Sequence, residues 1–366
     1  MYINAPHLRF PEFKGEWEKC KLGDIAEFST ARVSSAKLDC KNYVSTENML
    51  QDFQGVVEAK SVPNDTNVIS FTCGDILISN IRPYLKKVWK ATFDGGCSSD
   101  VFVLHATDAI TSDYLHYAIA NDRFINFVMS GAKGVKMPRG DKNQMRTYQL
   151  SLPSIQEQHK IAKLLTLLDE RIATQSKLIE KLESLIKGLR VCLMQIENGN
   201  SVRLCEIAQI YQPQTISSTE LTEDGFFVYG ANGVIGKYKE YNHKTEQICV
   251  TCRGNTCGMV NYTKPKSWIT GNAMVINTDK NQDKVNKRYL YHYLSAYNFK
   301  SIISGSGQPQ IVRTPLEKLI ITLPSIVEQK QKAIFLDKIQ SKIDIYNTVL
   351  NLYLQQKQYL LRQMFI

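Results

Sequence analysis

Two short stretches of the sequence carry residue types that bind phosphate or metal in other proteins. The first, GANGVIGKY (residues 230–238), places three glycines before a lysine, which resembles a phosphate-binding loop. Such a loop needs four residues between its glycines and a serine or threonine after the lysine. Here five residues separate Gly230 from Gly236, and Tyr238 follows Lys237. The spacing favours a glycine-rich loop between strands, with Lys237 as a candidate phosphate contact.

The second stretch, CVTCRGNTC, contributes Cys249, Cys252 and Cys257. A structural zinc site requires four ligands, and no second cysteine pair or suitably spaced histidine accompanies these three. The surrounding residues favour a strand, which turns alternate side chains to opposite faces. We therefore expect buried or half-buried thiols and no metal site. His159 and His292 lie in apparently helical stretches, where a surface or hydrogen-bonded histidine is the simpler interpretation than a catalytic base. The sequence predicts no catalytic residue.

Polar, basic loops with glycine hinges offer a different chemistry. Arginine, lysine and glutamine hold phosphates or reach the edges of bases with paired hydrogen bonds. Three such clusters occur, in IRPYLKKVWK (81–90), SGAKGVKMPRGDK (130–142) and SGSGQPQIVR (304–313). Ordinary solvated charge is the alternative for any single residue. The residues that we expect to contact DNA are Arg82, Lys86, Lys133, Lys136, Arg139, Lys237, Gln308, Gln310 and Arg313.

The sequence segments that are expected to position these loops occur twice in the chain. LPSIQEQ occupies residues 152–158, and LPSIVEQ occupies residues 323–329. Each opens a long segment in which apolar residues recur at alternating steps of three and four, the pattern of a helix that needs a partner helix. Two unrelated amphipathic helices are the alternative, but the shared register argues against it. The residues expected to pack the helix pair are Leu165, Leu168, Ile172, Ile179, Leu182, Leu336, Ile339, Ile343, Leu350 and Leu360.

The repeat continues upstream of each helix. KLGDIAEFS (21–29) resembles RLCEIAQIY (203–211), and runs rich in β-branched and aromatic residues lie between these landmarks. The predicted fold is α+β: two similar domains separated by two long helices packed as an antiparallel coiled coil, with a pseudo-two-fold axis. The predicted segments are a first domain (1–152), a central spacer helix (153–196), a second domain (197–322) and a C-terminal spacer helix (323–366).

Composition narrows the class of protein. The 366 residues carry a net charge of +10, which favours an anionic partner, although the first 152 residues are almost neutral. No apolar run approaches the roughly 20 residues that span a bilayer. The opening residues lack the pattern of a secretory signal. Nine cysteines without such a signal indicate reduced thiols, so a cytoplasmic location is expected.

These elements together resemble the specificity subunit of a type I restriction–modification system, over essentially the whole chain. The resemblance is carried by LRFPEFKGEWEKCKLGDIAEF, GDILISNIRPYLKKV, YGANGVIGKY, the terminal LLRQMF and, above all, the twice-written LPSI-EQ. The LRFP…W prelude precedes the first domain only. The resemblance implies a tandem repeat of two target-recognition domains, each binding half of a bipartite site in double-stranded DNA, and a role in phage defence.

The same resemblance implies the partners. The helices would serve as a spacer and as a docking surface for methyltransferase (modification) subunits, and restriction subunits would join the complex. The chain itself would be non-catalytic and hold no cofactor. S-adenosylmethionine, ATP and magnesium would belong to the partner subunits. No membrane partner is implied.

Two other functions stay open. The chain could be the recognition half of a fused restriction–methylation enzyme, although it lacks the Asn-Pro-Pro-aromatic tetrapeptide and the glycine-rich S-adenosylmethionine loop of methyltransferases. It could also be a structural coiled-coil protein. An assay of methyl transfer by the purified chain distinguishes the fused enzyme from a recognition subunit. A gel shift with the modification subunit present distinguishes the structural protein from a DNA-binding one.

Overall fold

The computed structural model of the chain describes residues 5–196, 199–305 and 307–365. The chain divides into two compact units. The first comprises residues 1–175 and 349–366, and the second comprises residues 176–348. Each of two long helices begins in one unit and ends in the other, so the compact units cut across the predicted spacer helices. The four predicted segments stay a prediction.

The first unit begins with short strands, and the long helix α5 starts in it and ends in the second unit. Its elements are β1 (Glu18–Lys21), α1 (Leu22–Ile25), β2 (Ala26–Phe28), β3 (Arg32–Ser34), β4 (Tyr43–Val44), β5 (Asn67–Phe71), β6 (Ile76–Ser79), β7 (Val88–Lys90), β8 (Gly95–Cys97), β9 (Val101–Ala106), α2 (Ser112–Ile119), α3 (Asp122–Ser130), α4 (Lys142–Arg146), β10 (Gln149–Leu152) and α5 (Ile155–Met194).

The second half of the chain begins and ends with the same elements, a strand followed by a short helix and a strand followed by a long helix, and differs between them. Its elements are β11 (Asn200–Arg203), α6 (Leu204–Ile207), β12 (Gln209–Tyr211), β13 (Phe226–Gly230), β14 (Gly233–Tyr238), β15 (Ile248–Thr251), β16 (Val260–Tyr262), β17 (Trp268–Ile269), β18 (Ala273–Asn277), α7 (Lys287–Ala296), β19 (Ile303–Ser304), β20 (Gln310–Ile311), α8 (Arg313–Glu317), β21 (Ile320–Leu323) and α9 (Ile326–Met364).

One antiparallel sheet recurs in both units. Its strand order is β2-β9-β6-β7 in the first unit and β12-β18-β15-β16 in the second. A two-stranded ribbon precedes each long helix, β1 with β10 and β11 with β21. The predicted duplication of an α+β domain followed by a long helix is confirmed at the level of individual strands.

The units differ in their other sheet. In the first unit it has four strands in the order β3-β5-β8-β4, and in the second it has three, β14-β13-β17. The expectation of a glycine-rich loop at residues 230–238 is only partly correct. A tight turn joins β13 to β14 there, with Gly233 at a φ of +90°, but residues 233–238, including Lys237, form β14 itself. A left-handed φ of this kind favours glycine.

One inner strand of each recurring sheet, β6 or β15, is buried along its whole length because both of its faces are covered. All four residues of β6 are buried, and so are all four of β15. The thiol of Cys249 lies in β15 with 1% of the residue exposed, and burial raises its pKa. Cys252 is equally buried, and Cys257 is partly covered. The expectation of buried or half-buried thiols is confirmed.

The predicted stripe of the long helices lies inward. Leu165 and Leu168 of α5 share a hydrophobic core with Leu360 of α9 and with the helices of the first unit. The side chains of Ile172, Ile179, Leu182, Leu336, Ile339, Ile343 and Leu350 are buried or half-buried in their own units.

A lysine interrupts the apolar series of α9, and the first unit accommodates it. Lys357 Nζ lies 2.6 Å from Asp169 Oδ1 of α5, and 5.8 Å from the ring centre of Tyr117. Tyr117 also donates its hydroxyl to Asp169 Oδ2 at 2.9 Å. The aspartate compensates the lysine charge, so the interruption of the series does not break the packing.

Gln158 joins the first turn of α5 to the start of α2. Its Oε1 accepts a 2.8 Å hydrogen bond from the backbone N–H of Thr111, the residue that caps α2. Its Nε2 donates to the backbone oxygens of Ala109 and Pro153, each at 3.1 Å. The side chain is 1% exposed, so all its polar atoms are satisfied by backbone groups.

Gln329 makes the same three bonds in the second unit. Its Oε1 accepts from the backbone N–H of Asn286, the cap of α7, at 2.8 Å. Its Nε2 donates to the backbone oxygens of Lys284 at 3.2 Å and Pro324 at 3.0 Å. The repeated LPSI-EQ is therefore a repeated joint: proline supplies an acceptor, and glutamine locks the long helix to the domain helix.

The glutamate of the same motif behaves differently in the two copies. Arg9 donates to both carboxylate oxygens of Glu157, at 2.7 and 2.8 Å, and Glu157 is 1% exposed. Glu328 is only half-buried and pairs with Lys332 one turn later at 2.7 Å. The prelude that precedes the first domain alone thus supplies an arginine for the first glutamate.

Among the described residues, no helix has the length and apolarity needed to cross a membrane. In the same part of the chain, no three histidine, cysteine or acidic side chains lie close enough together to hold a metal ion.

Candidate nucleic-acid interface

A sharp basic hairpin projects from the first unit. The backbones of Lys133 and Arg139 exchange both hydrogen bonds, each at 2.9 Å, so residues 133–139 form one tight turn, here called the first hairpin. Gly134 has a φ of +94°, which a residue with a side chain adopts at a cost. Val135 is fully exposed at the tip, with Lys136 and Met137 beside it.

The first hairpin is bonded to the end of strand β6. Arg82 donates its backbone N–H to Pro138 O at 2.8 Å, and Gly140 donates to Asn80 O at 3.0 Å. Between these two bonds Ile81 faces Arg139 across an antiparallel bridge. Arg82 and Arg139 lie in two separate basic clusters of the sequence, and these bonds bring their backbones next to each other.

Carboxylates hold two cations of the first hairpin in place. Lys133 Nζ lies 2.8 Å from Asp141 Oδ2, and Arg139 Nη1 lies 3.1 Å from Asp100 Oδ1. The hydrogen bond from Lys133 lowers the pKa of the Asp141 carboxyl and raises that of the lysine, so both groups are charged at neutral pH. Because the pairs are exposed, they are weak, and a phosphate or a base edge can take the carboxylate's place.

The rest of the first basic cluster is partly structural. Lys86 has a left-handed φ of 54° and pairs with Asp122 of α3 at 2.8 Å. Lys87 donates to Thr46 O at 2.6 Å, and burial lowers its pKa. Lys90 pairs with a carboxylate of α2. Of this cluster, Arg82 is the cation that the bonds to Pro138 place beside the first hairpin.

The second unit carries an equivalent hairpin, residues 303–311, here called the second hairpin. Ile303 pairs with Ile311, and Ser304 pairs with Gln310. Gly305 has a φ of +90°, and a Cβ there would lie 2.5 Å from Gln308 O. The side chains of Gln308 and Gln310 are exposed.

The second hairpin is bonded to the end of strand β15 by the same pattern. Gly254 donates its backbone N–H to Pro309 O at 3.0 Å, and Ile311 donates to Cys252 O at 3.0 Å. Between these bonds Arg253 faces Gln310 across an antiparallel bridge. The two hairpins thus meet the same place on the same sheet of their own unit.

Arg253 is a candidate that sequence reasoning missed. It lies within CVTCRGNTC, where the cysteines drew attention to metal binding. The sequence contained a signal: when ILIS (76–79) is aligned with ICVT (248–251), Arg253 corresponds to Ile81. In the first unit, Ile81 lies beside Arg139 of the first hairpin. The side chain of Arg253 is exposed.

Two other predicted contacts lie outside the hairpins. Lys237 sits in β14 with its Nζ 3.4 Å from Asp224 Oδ1. Arg313 opens α8 and donates from Nε to Glu317 Oε1 at 2.7 Å, one helical turn away. Neither is tied to the second hairpin by a described bond, and a role in binding DNA stays a prediction for both.

The two histidines singled out from the sequence have different surroundings. His159 is exposed, whereas His292 is buried, with its Nε2 2.8 Å from Asp337 Oδ1 and its Nδ1 accepting from Arg190 Nε at 3.1 Å. Burial lowers the pKa of His292. Its two nitrogens are occupied, so it joins α7 to both long helices of the second unit.

Comparison with known proteins places this geometry in a family. The sequence profile described as "Type I restriction modification DNA specificity domain" matches residues 14–184 and 197–352. The chain is 25% identical over 401 residues to the MjaVIII specificity subunit of Methanocaldococcus jannaschii, covering 92% of this chain and 88% of that one. It is 26% identical to the MjaX specificity subunit of the same organism, covering 93% and 91%.

A solved structure has the same fold. The S subunit of a type I restriction–modification system from M. genitalium superposes with a TM-score of 0.69 at 17% identity, covering 99% of both chains.

Proposed function

Since this chain belongs to the family of type I restriction–modification DNA specificity domains, we propose that each of its two units binds one half of a bipartite DNA site. Subunits of this family are the recognition components of type I systems. The observation that carries the proposal is the pair of equivalent hairpins, each bonded to the end of the same sheet strand. Each hairpin presents exposed side chains that hydrogen-bond to phosphates and base edges.

The experiment is an exchange of one unit's domain. Residues 1–152 are replaced by the matching part of a relative with a different methylation site, and adenine methylation is mapped across the host genome. One half-site is expected to change and the other to stay the same, because each hairpin is built only from its own unit. A map in which both half-sites change would refute independent recognition.

We propose further that the long helices dock the methyltransferase and restriction subunits. On α9 of the second unit, Ile334, Phe335 and Ile345 are each at least half exposed, although they flank a buried stripe. Exposed apolar side chains on the outer face of a helix pair are typical of a surface covered by a partner. Charged substitutions at Phe335 and Ile345 should prevent assembly with the modification subunit while leaving the fold intact, which gel filtration and circular dichroism can test.

We propose that the chain is non-catalytic and that S-adenosylmethionine, ATP and magnesium bind to its partners. All nine cysteines are free thiols, which suits a reducing cytoplasm. Purified chain should transfer no methyl group to DNA, and the modification subunit should restore transfer. Transfer by the purified chain would instead favour the fused enzyme. Site-specific DNA binding by the complex counts against a purely structural coiled coil.

We expect the chain alone to bind DNA weakly, because the first domain is almost neutral and two hairpin cations are already paired with carboxylates. A titration with and without modification subunits measures this difference. Equally tight and specific binding by the isolated chain would contradict it.

A further inference from the structure

In each unit, an arginine lies where the end of the sheet strand meets the hairpin. In the first unit this arginine belongs to the hairpin, and in the second it follows the strand. In both, a residue just after the sheet strand faces a residue of the hairpin across one antiparallel bridge. The pair is Ile81 and Arg139 in the first unit, and Arg253 and Gln310 in the second. The hydrogen bonds that flank the bridge are equivalent in the two units, so these four positions correspond one to one.

Side chains opposite each other in such a bridge lie about 5 Å apart at their Cβ atoms and point to the same face. Arg253 and Gln310 therefore present a guanidinium and a carboxamide side by side. In the first unit the bridge presents one guanidinium beside an aliphatic side chain. The second unit thus has two hydrogen-bonding groups where the first has one.

The guanidinium of Arg253 also lacks the carboxylate that its counterpart has. Arg139 pairs with Asp100, whose backbone oxygen accepts a 2.8 Å bond from Asn80. The residue in the place of Asp100 is Asn272, whose backbone oxygen accepts the matching bond from Cys252 at 3.1 Å. Within the described part of the chain, Arg253 makes no ion pair.

The side chain of Arg253 is exposed, and the turn that begins at the next residue is open. Gly254 has a φ of +86°, and nothing lies within 4 Å of the position that a Cβ would take there. On the other side of this turn, Thr256 donates its hydroxyl to Asn232 Oδ1 at 2.5 Å, which brings the turn between β13 and β14 alongside. Arg253 thus lies exposed beside the carboxamide of Gln310, and its guanidinium makes no ion pair with a described residue.

We propose that Arg253, with Gln310 beside it, determines the bases that the second unit selects, and that Arg253 binds the edge of a guanine. This inference rests on the proposed function. A guanidinium matches the two acceptors of guanine in the major groove, and a carboxamide matches the donor and acceptor of adenine. An unpaired guanidinium beside a carboxamide on an open surface supplies both patterns to adjacent base pairs.

The test uses the full chain assembled with its modification subunits. Arg253→Lys keeps the charge and removes the forked geometry. Competition binding is measured on a set of duplexes in which each base pair of both half-sites is changed in turn. We expect discrimination at one guanine of a single half-site to fall roughly 5- to 150-fold. The other half-site should be unaffected.

Arg203→Lys is the matched control, because Arg203 is an exposed arginine of the same unit on the ribbon of β11 and β21. It should bind as the parent does, and melting temperatures of both variants should match the parent. If the parental complex has no sequence preference, the proposed function fails. If the parent is specific and Arg253→Lys is unchanged, or weakens all duplexes equally, Arg253 is not a base contact and the inference fails.

Discussion

In the first unit the hairpin carries lysine and arginine at its base and a valine at its tip, whereas in the second unit the hairpin carries serine and glutamine. The backbones agree closely: both hairpins use a glycine with φ near +90°, and both bond to a strand end through a proline oxygen. Backbone hydrogen bonds and glycine geometry thus fix where each hairpin lies, and the side chains are free to differ. The difference teaches that one scaffold serves two chemically distinct recognition surfaces.

The largest expected effect comes from breaking the turns. Gly305→Ala places a Cβ 2.5 Å from a backbone oxygen, whereas Gly134→Ala places one 3.2 Å from Met137 O. Both also incur the left-handed cost of about 1–2 kcal/mol. We expect Gly305→Ala to abolish discrimination at the second half-site, and Gly134→Ala to weaken the first about tenfold.

Binding of the assembled complex to half-site variants checks this order. The melting temperatures should fall by only a few degrees, because both glycines lie in exposed loops. If Gly134→Ala proved the more damaging of the two, the clash measured from the backbone would not control recognition.

The next largest effect concerns how strongly the affinity for DNA depends on salt concentration. Replacing Arg82, Lys133, Lys136 and Arg139 by alanine should reduce the slope of log affinity against log salt by up to about 4, since each lost phosphate contact contributes about 0.9. Removing Arg253 should change the slope by at most about 1. Titrations at several salt concentrations measure both. Equal changes in slope would mean that the two hairpins do not differ in how they attract DNA.

A single arginine should have a smaller effect. Arg139→Ala is expected to cost roughly 1–3 kcal/mol at one position of the first half-site if the guanidinium contacts a base. Asp100→Asn removes its carboxylate partner and should leave affinity unchanged or slightly higher, because an exposed pair contributes little. A uniform loss over all sequences for Arg139→Ala would assign the residue to phosphate. Arg313→Ala, measured in parallel, tests that predicted contact in the second unit.

The smallest effect is expected at the tip of the first hairpin. Val135 is fully exposed, so Val135→Ser should not change the free energy of unfolding measurably. If the tip contacts a groove or a thymine methyl group, affinity should fall by about 1 kcal/mol at most. Urea unfolding and competition binding together separate the two outcomes. A stability loss as large as the affinity loss would mean that the valine packs within the protein.

The long helices and the buried strands could be predicted from the sequence because their signals are local. A stripe at steps of three and four marks α5 and α9, and the apolar run ILIS marks a strand covered on both faces. The ion pair of Lys357 in α9 with Asp169 in α5 is not marked by any such local signal. That ion pair joins residues far apart in the chain, and residue types alone do not specify such pairing.

The candidate interface was predictable only in part, for the same reason. Glycines marked both loops, with cations in the first and glutamines in the second. The bond from Arg82 to Pro138 joins two separate clusters, however, and Arg253 becomes a neighbour of Gln310 only after folding. Local composition also cannot distinguish Arg82 from Lys87, whose ammonium is used to hold a backbone oxygen. Tertiary contact decides which cations of a basic run remain available.

The glutamine joint has an evolutionary consequence. Gln158 and Gln329 bind only backbone atoms of the neighbouring domain helix and of the proline before them. Such a joint makes no demand on the side chains of the domain that it holds. A recombination event that brings in a domain with an unrelated surface therefore inherits a working attachment, provided that the incoming helix starts in the same backbone position. The six letters that the two copies share can in this way hold domains whose side chains differ.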